Sequence, residues 1–478
     1  MSRYVLFFAS KMTAEWCGVG KVTIDTLSDY VLLQIFSFCQ EDCSSESSRL
    51  LWWRPLVHVC RRWREIVFSS PRSLHLVIFC DSRTPTTTSL NIWPPFLISV
   101  HHYTEEECES TVAALKLRDR VSEICIDSPA DSVLERLTAA MLEPFLELSC
   151  LHLINRGDTT PVLPDAFLGG FAPSLQNLAL VNIAFSALPT LLLSTTRLTL
   201  LCLWSTEYIS PEAMVTCLAA LPNLEDLRFG FPSYPDHISS YSLTRTILPS
   251  LTCFHFHGVG EYSENLLARI DAPVLRTLLI RYFDVVFRVP QLYRFISCAK
   301  RFEPPSGVVV EFGCWEIDLK SIQSDDFELT IECDNLVGQA SSLAAICREL
   351  SRLLSRVERL DLHGNYLNLS PSWQGGTVPA DLDWHAFFYP FISVQSLHVS
   401  KILGPFFAPA LEELTKEGAE TVLPKLRTLF LEGLPPSGPA REAMETFIAT
   451  RSLSDHPVVF QQRLHLDSDT GATIPPSS

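Results

Sequence analysis

Histidine and cysteine carry the most chemistry in this chain, and their spacing argues against most of it. "HFH" (His255 to His257) alternates so that both rings would share one face of a strand, and "HHYTEEEC" (His101 to Cys108) is the other dense segment. A finger-type zinc site needs Cys and His in regular pairs that converge on a tetrahedron. The 15 cysteines are scattered, with no C-x-x-C pair. They read as small apolar residues of a reducing compartment. We therefore expect no metal and no cofactor. G-x-x-x-x-G-K-[ST], G-x-G-x-x-G after a strand, G-x-S-x-G and H-E-x-x-H are all missing from the sequence. Carboxylates are plentiful, but nothing pairs them for acid–base work. The expectation is a binding protein with no catalytic residues.

One segment is dense in a different way. "WWRPLVHVCRRWREIVFSSPRSL" (Trp52 to Leu74) holds three of the nine tryptophans and a tight run of arginines. Its surroundings are acidic, with net charge −17 and pI about 5.2. Such a chain has no global electrostatic reason to seek nucleic acid or anionic lipid. With 47% hydrophobic and 19% charged residues it is apolar enough to fold throughout. Only 8 of the 37 basic residues are lysine, which composition bias explains. "MSRYVLFFASK" is too short an apolar run for a signal-peptide core, and nothing approaches the roughly 20 apolar residues of a membrane span. The expected setting is cytoplasmic and/or nuclear, with no membrane partner.

The elements that position these residues fall into two textures. From about Ile24 to Ser70 the pattern is helical. "DTLSDYVLLQIFSFC" offers Asp25 or Ser28 as N-cap, then Val31, Leu32, Ile35, Phe36 and Cys39 along one face. "QEDCSSESSR" is a loop by composition. Pro55 can open a second helix, with Leu56, Val59, Cys60, Trp63, Ile66 and Val67 at helical spacing and Arg61, Arg62 and Arg64 opposite. Two such apolar faces on about 45 residues need a partner or a neighbouring domain to cover them.

After Leu74 the chain repeats. "RVSEICID", "ELSCLHLI", "PSLQNLALVN", "TRLTLLCLW", "PNLEDLRFG", "PSLTCFHFHG" and "PVLRTLLI" share an apolar residue, another three on, and another two beyond. Their first positions (Val121, Leu148, Leu175, Leu198, Leu224, Leu251, Leu275) recur every 23 to 27 residues. That period and an L-x-x-L-x-L core are the leucine-rich-repeat pattern. "LPTLLLSTT", "SPEAMVTCLAALPN" and "SENLLARIDAP" read as short return helices, several stopped by proline. After about residue 280 the matches "PSGVVVEF", "LTIECD", "VERLDLHGN", "VQSLHVS" and "LPKLRTLFLEG" are less regular, and "QRLHLDSD" reads as a last strand.

The two textures together resemble the F-box proteins, and in particular a large fungal (mushroom-type) group of them. "LSDYVLLQIFSF" and "PLVHVCRRWREIVFSSP" carry the resemblance, with "NIWPPF" (Asn91 to Phe96) and "LPKLRTLFLEG" adding to it. Ser28 stands where that family usually has proline. The resemblance implies an α/β chain: a small all-helical F-box module at 21–72, then an irregular leucine-rich-repeat-like solenoid, a horseshoe, at 73–470. Residues 1–20 would be a poorly ordered extension and 471–478 a disordered tail. It implies a substrate receptor of an SCF-type cullin–RING ubiquitin ligase. Leu27, Val31, Leu32, Ile35, Phe36, Leu56, Val59, Cys60 and Trp63 would meet a Skp-type adaptor, and through it cullin. The repeat face, with Asn177, Glu225, Arg228, His255 and Arg276, would hold an unknown substrate protein. The rival reading is a repeat scaffold with no ligase role, its N-terminal helices capping the first repeat.

Overall fold

The computed structural model describes residues 24–41, 52–71, 73–81, 90, 93–105, 108–204, 207–231, 245–283, 288–313, 315–333, 336–364, 384–403, 407–415, 422–433, 437–453 and 457–461. The expected extension 1–20, the tail 471–478, the loop after Glu41 and the strand in "QRLHLDSD" lie outside them.

The described residues form eighteen strands: β1 (Val77–Asp81), β2 (Leu97–His102), β3 (Val121–Asp127), β4 (Cys150–Ile154), β5 (Asn177–Val181), β6 (Leu200–Trp204), β7 (Asp226–Gly230), β8 (Thr246–Ile247), β9 (Cys253–Gly258), β10 (Ile270–Asp271), β11 (Thr277–Tyr282), β12 (Gly307–Phe312), β13 (Glu316–Ser321), β14 (Phe327–Glu332), β15 (Arg359–Gly364), β16 (Ser396–Val399), β17 (Thr428–Leu431) and β18 (Val459–Gln461). Sixteen form one mixed but mostly parallel sheet in the order β1 to β7, β9, β11, β14, β13, β12, β15 to β18, while β8 pairs with β10 apart from it. Among these pairs β12·β13 and β13·β14 are antiparallel.

The repeat positions explain the sheet. All seven leading residues, Val121 to Leu275, are buried. From Leu148 onward each sits two residues ahead of its strand, and the strand then alternates inward apolar and outward mixed side chains. The entry to each strand is fixed by a shared carbonyl. Ser149 O accepts from Gln176 N and Asn177 N (2.8 and 3.0 Å), Gln176 O from Thr199 N and Leu200 N (2.7 and 3.0 Å), and Thr199 O from Glu225 N and Asp226 N (2.8 and 3.0 Å). Gly230 marks a close approach: a Cβ there would meet His257 O at 2.7 Å and the Trp204 ring at 2.8 Å.

Among the described residues fourteen α-helices accompany the strands: α1 (Asp29–Glu41), α2 (Arg54–Val57), α3 (Arg61–Ser69), α4 (Glu109–Leu115), α5 (Asp131–Ala139), α6 (Leu188–Ser194), α7 (Pro211–Ala219), α8 (Gly260–Leu267), α9 (Pro290–Cys298), α10 (Leu336–Glu349), α11 (Ser351–Leu354), α12 (Trp384–Phe388), α13 (Ala408–Glu413) and α14 (Pro439–Leu453). The expected return helices are α6, α7 and α8, and Ser210 caps α7 through Ala213 N (3.2 Å). Among the described residues no helix is long and apolar enough to cross a membrane.

Two expectations for the N-terminal segment change. The helix from Pro55 is broken: α2 stops at Val57, and Cys60 is extended (φ −155°, ψ 170°), its Sγ accepting from Trp63 N (3.4 Å) as the cap of α3. Val59 and Cys60 therefore leave the apolar stripe and are exposed. Nor is a separate all-helical module evident. Leu32, Phe36, Trp53 and Leu56 belong to the same continuous core as the strands.

Candidate functional site

The arginines of "VCRRWR" hold the helices together. Arg62 binds Asp29 Oδ1 (2.7 Å through Nη2, 3.1 Å through Nε) and Leu27 O (2.6 Å), tying α3 to the start of α1. Arg64 Nε donates to Val57 O (2.9 Å), and Arg61 pairs with Glu65 along the exposed side of α3 (2.8 Å). Ser28, in place of proline, caps α1 by accepting from Val31 N (3.3 Å), a cap worth about 1 kcal/mol. Trp52 and Trp53 are both buried. The indole N–H of Trp53 donates to Val77 O (3.3 Å), so α2 is fastened to the edge strand β1.

The expected adaptor residues consequently divide. Leu32, Phe36 and Leu56 are core, with Phe36 edge-on to the half-buried Trp63 (4.8 Å between ring centroids) and Leu27 also half-buried. Val31 (39%) and Ile35 (37%) are exposed, as is Val59. Two residues that the sequence reading did not single out join them: Tyr30 (71%) and Phe38 (63%). Val31, Ile35 and Phe38 are spaced i, i+4, i+7, one face of α1. The missed signal was the second apolar face of this helix, since "DYVLLQIFSF" is greasy on more than one side.

The outward face of the sheet carries the other candidates. Along its middle row the register aligns Asp81, His101, Cys125, His152, Ala179, Cys202, Arg228, His255 and Leu279 on successive strands. Arg228 and His255 are thus neighbours, and Arg228 is held by Asp226 (2.6 Å). Burial first, and Arg228 next, push the His255 imidazole down to about 4, so it is neutral at pH 7. Its ring lies 4.7 Å from that of Trp204. Asn177 on β5 accepts from Thr199 Oγ1 (3.3 Å) at the entry of the neighbouring β6. Glu225 and Arg276 are exposed at the strand entries and do not converge with the others.

Alternation splits the "HH" pair. His102 faces inward and bonds Thr111 Oγ1 (3.2 Å), whereas His101 joins a polar cluster on the outward side. Ser99 Oγ donates to Glu123 Oε2 (2.7 Å) and so accepts from His101 Nε2 (2.8 Å). Tyr103 OH lies 2.6 Å from His101 Nδ1 and donates towards Cys125 Sγ (3.8 Å). His101 Nε2 is therefore a donor, and the His101 ring lies beside the Glu123 carboxylate (3.9 Å). Burial alone would lower its pKa, but Cys125 and Glu123 outweigh it and the net shift is upward. Cys125 is displaced the other way: burial raises its thiol, and His101, His152 and Tyr103 bring it below the ordinary cysteine value. In contrast, burial pushes the Cys202 thiol of the same row up to about 11. Iodoacetamide at pH 7 is therefore expected to alkylate Cys125 at least about tenfold faster than Cys202, followed by peptide mass mapping of the full chain. Equal rates would contradict the thiolate reading.

No family model matches the chain, and no curated protein matches it.

Proposed function

We propose that the chain is a protein-binding receptor subunit of an SCF-type cullin–RING ubiquitin ligase, without a reaction of its own. In this reading α1 to α3 act as an F-box-type docking surface for a Skp-type adaptor, and through it cullin. The strands act as an irregular leucine-rich-repeat-like solenoid whose outward face takes a substrate protein. The observation that carries the proposal is the exposed line Val31, Ile35 and Phe38 on α1, flanked by Tyr30. Contiguous apolar surface on a helix face marks an interaction site, and the resemblance supplies the partner. A stable interface needs about 1,600 Å² in all, which this face would share with Val59 and the surface around it.

The test is co-purification of the full chain with a Skp-type adaptor, wild type beside a Val31→Asp, Ile35→Asp double variant. Both side chains are exposed, so folding is expected to change by no more than about 0.5 kcal/mol for each. Two desolvated carboxylates at the centre of the interface should weaken the complex about 100-fold or more. Trp63→Ala is a poorer probe, because that ring packs on Phe36 within the chain. A folded wild type that forms no complex would favour the second reading, a scaffold capped by its N-terminal helices. The Trp53 bond to β1 is the observation on its side.

A further inference from the structure

Four residues of β15, β16 and the turn after β17 have no part in the docking proposal. Asp361 and His363 stand two apart on β15, hence on one face, and His398 on β16 is the register partner of Asp361. One ligating atom from each lies within 4.8 Å of the other two. The rings of His363 and His398 are nearly perpendicular (85°), with centroids 5.7 Å apart.

Two nitrogens there are buried without a hydrogen-bond partner among the described residues: His363 Nε2 and His398 Nδ1. A buried, unpaired polar atom costs about 1–3 kcal/mol, so a pair of them facing one carboxylate calls for an occupant. The tautomer of His398 follows from its other side. Glu432 Oε1 accepts from Nε2 (3.2 Å), which leaves the Nδ1 lone pair free; Asp361 Oδ2 is 4.0 Å from it, too far to bond. A carboxylate that orients a histidine while its other nitrogen meets an ion is the usual outer support of a metal site. Arg359 also binds Asp361 (Nε to Oδ1 2.9 Å, Nη2 to Oδ2 2.8 Å). A carboxylate has about four lone-pair sites, so this leaves room for an ion.

The geometry points to a binding site for a divalent transition-metal ion of the zinc type, ligated by His363, His398 and Asp361, with Glu432 holding His398. Ligands of a tetrahedral zinc stand about 2.0–2.2 Å from the ion and hence about 3.4 Å from one another; small rotations of the two rings reach that from the present arrangement. Three protein ligands leave a fourth position open on the outward face of the sheet, where water or a donor group of a bound molecule completes the shell. The site is independent of the adaptor proposal and stands or falls without it.

The test uses the full chain without a histidine tag, stripped with EDTA, titrated with Zn²⁺ by calorimetry and with Co²⁺ by absorption. Wild type should take up one ion at this site, with a tetrahedral cobalt spectrum free of sulfur charge transfer and a raised Tm. His363→Gln with His398→Gln should bind at least about 100-fold more weakly. Glu432→Gln, which keeps all three ligands, should lose about 10- to 100-fold. Each variant is checked in EDTA against wild type in EDTA for Tm. Should the double variant fail to fold, His363→Gln alone carries the same test, since its Nε2 bonds nothing among the described residues. Absence of binding by wild type overturns the assignment, as does undiminished binding by the variants. Strong sulfur-to-cobalt charge transfer also overturns it, because the ion would then be held by cysteine and not by these ligands.

Discussion

Trp53→Ala is expected to cost about 3–5 kcal/mol, the range for emptying a fully buried tryptophan site. Trp53 joins the two textures of the chain directly. Its ring meets Trp93 (4.9 Å between centroids), Phe96 (5.7 Å) and Phe68 (6.4 Å), all edge-on, and its N–H reaches Val77 O. Edge-to-face contacts add about 0.5–1.5 kcal/mol each beyond area. Trp53→Phe separates the contributions: it keeps much of the ring and loses the bond to Val77 O, at about 1 kcal/mol. Chemical denaturation of the full chain gives both numbers, and hydrogen exchange in β1 and β2 locates the damage. A loss below about 1 kcal/mol for Trp53→Ala would mean that the helices are not anchored where the structure places them.

The second large effect lies in the repeat core. Phe229 is buried against Phe231 (6.0 Å), Phe254 (5.9 Å), Phe256 (5.2 Å) and Tyr262 (6.0 Å), so one ring serves β7, β9 and α8. Phe229→Ala is expected to cost about 3–5 kcal/mol as well, but with a different distribution. Within the sheet each strand pairs only with its immediate neighbours, so if the chain behaves as a repeat array its stability is a sum of local and nearest-neighbour contributions. Exchange should rise first in β7, β9 and α8, while β16 and β17 stay protected. Uniform loss of protection along the whole chain would refute that locality.

The strand positions from Val121 to Leu275 were legible because one inward leucine set recurs at a nearly constant interval, and every leading residue is buried. β12, β14, β15, β16 and β17 were also readable, from shorter versions of the same pattern. β13 was not: "EIDLKS" pairs antiparallel with both neighbours and carries no L-x-x-L lead. β1 and β2 pair in parallel but were not singled out either. On α1 the apolar stripe was visible but its orientation was not, since the choice between Leu32 inward and Val31 outward is made by Trp63 and the core beyond. Cys60 was misassigned because a cysteine cap looks like an apolar helix residue. Clusters built across strands were the least readable. His101, Cys125 and His152 lie about 25 residues apart, and Asp361 meets His398 only once the register is known.

The order of the strands has a consequence for synthesis. Up to β11 each new strand of the main sheet finds the edge of the previous one waiting, β8 and β10 pairing apart from it, so the sheet can grow as the chain leaves the ribosome. The next strand of the main sheet, β12, does not dock there; the partner of β11 is β14. Since 45 residues separate Tyr282 from Phe327, and translation adds about 5–20 residues per second, the outer edge of β11 waits about 2–9 s for its neighbour. Throughout that interval it offers a row of open amides and carbonyls to any other nascent strand. The antiparallel turn-back of β12, β13 and β14 is therefore what closes this edge during synthesis.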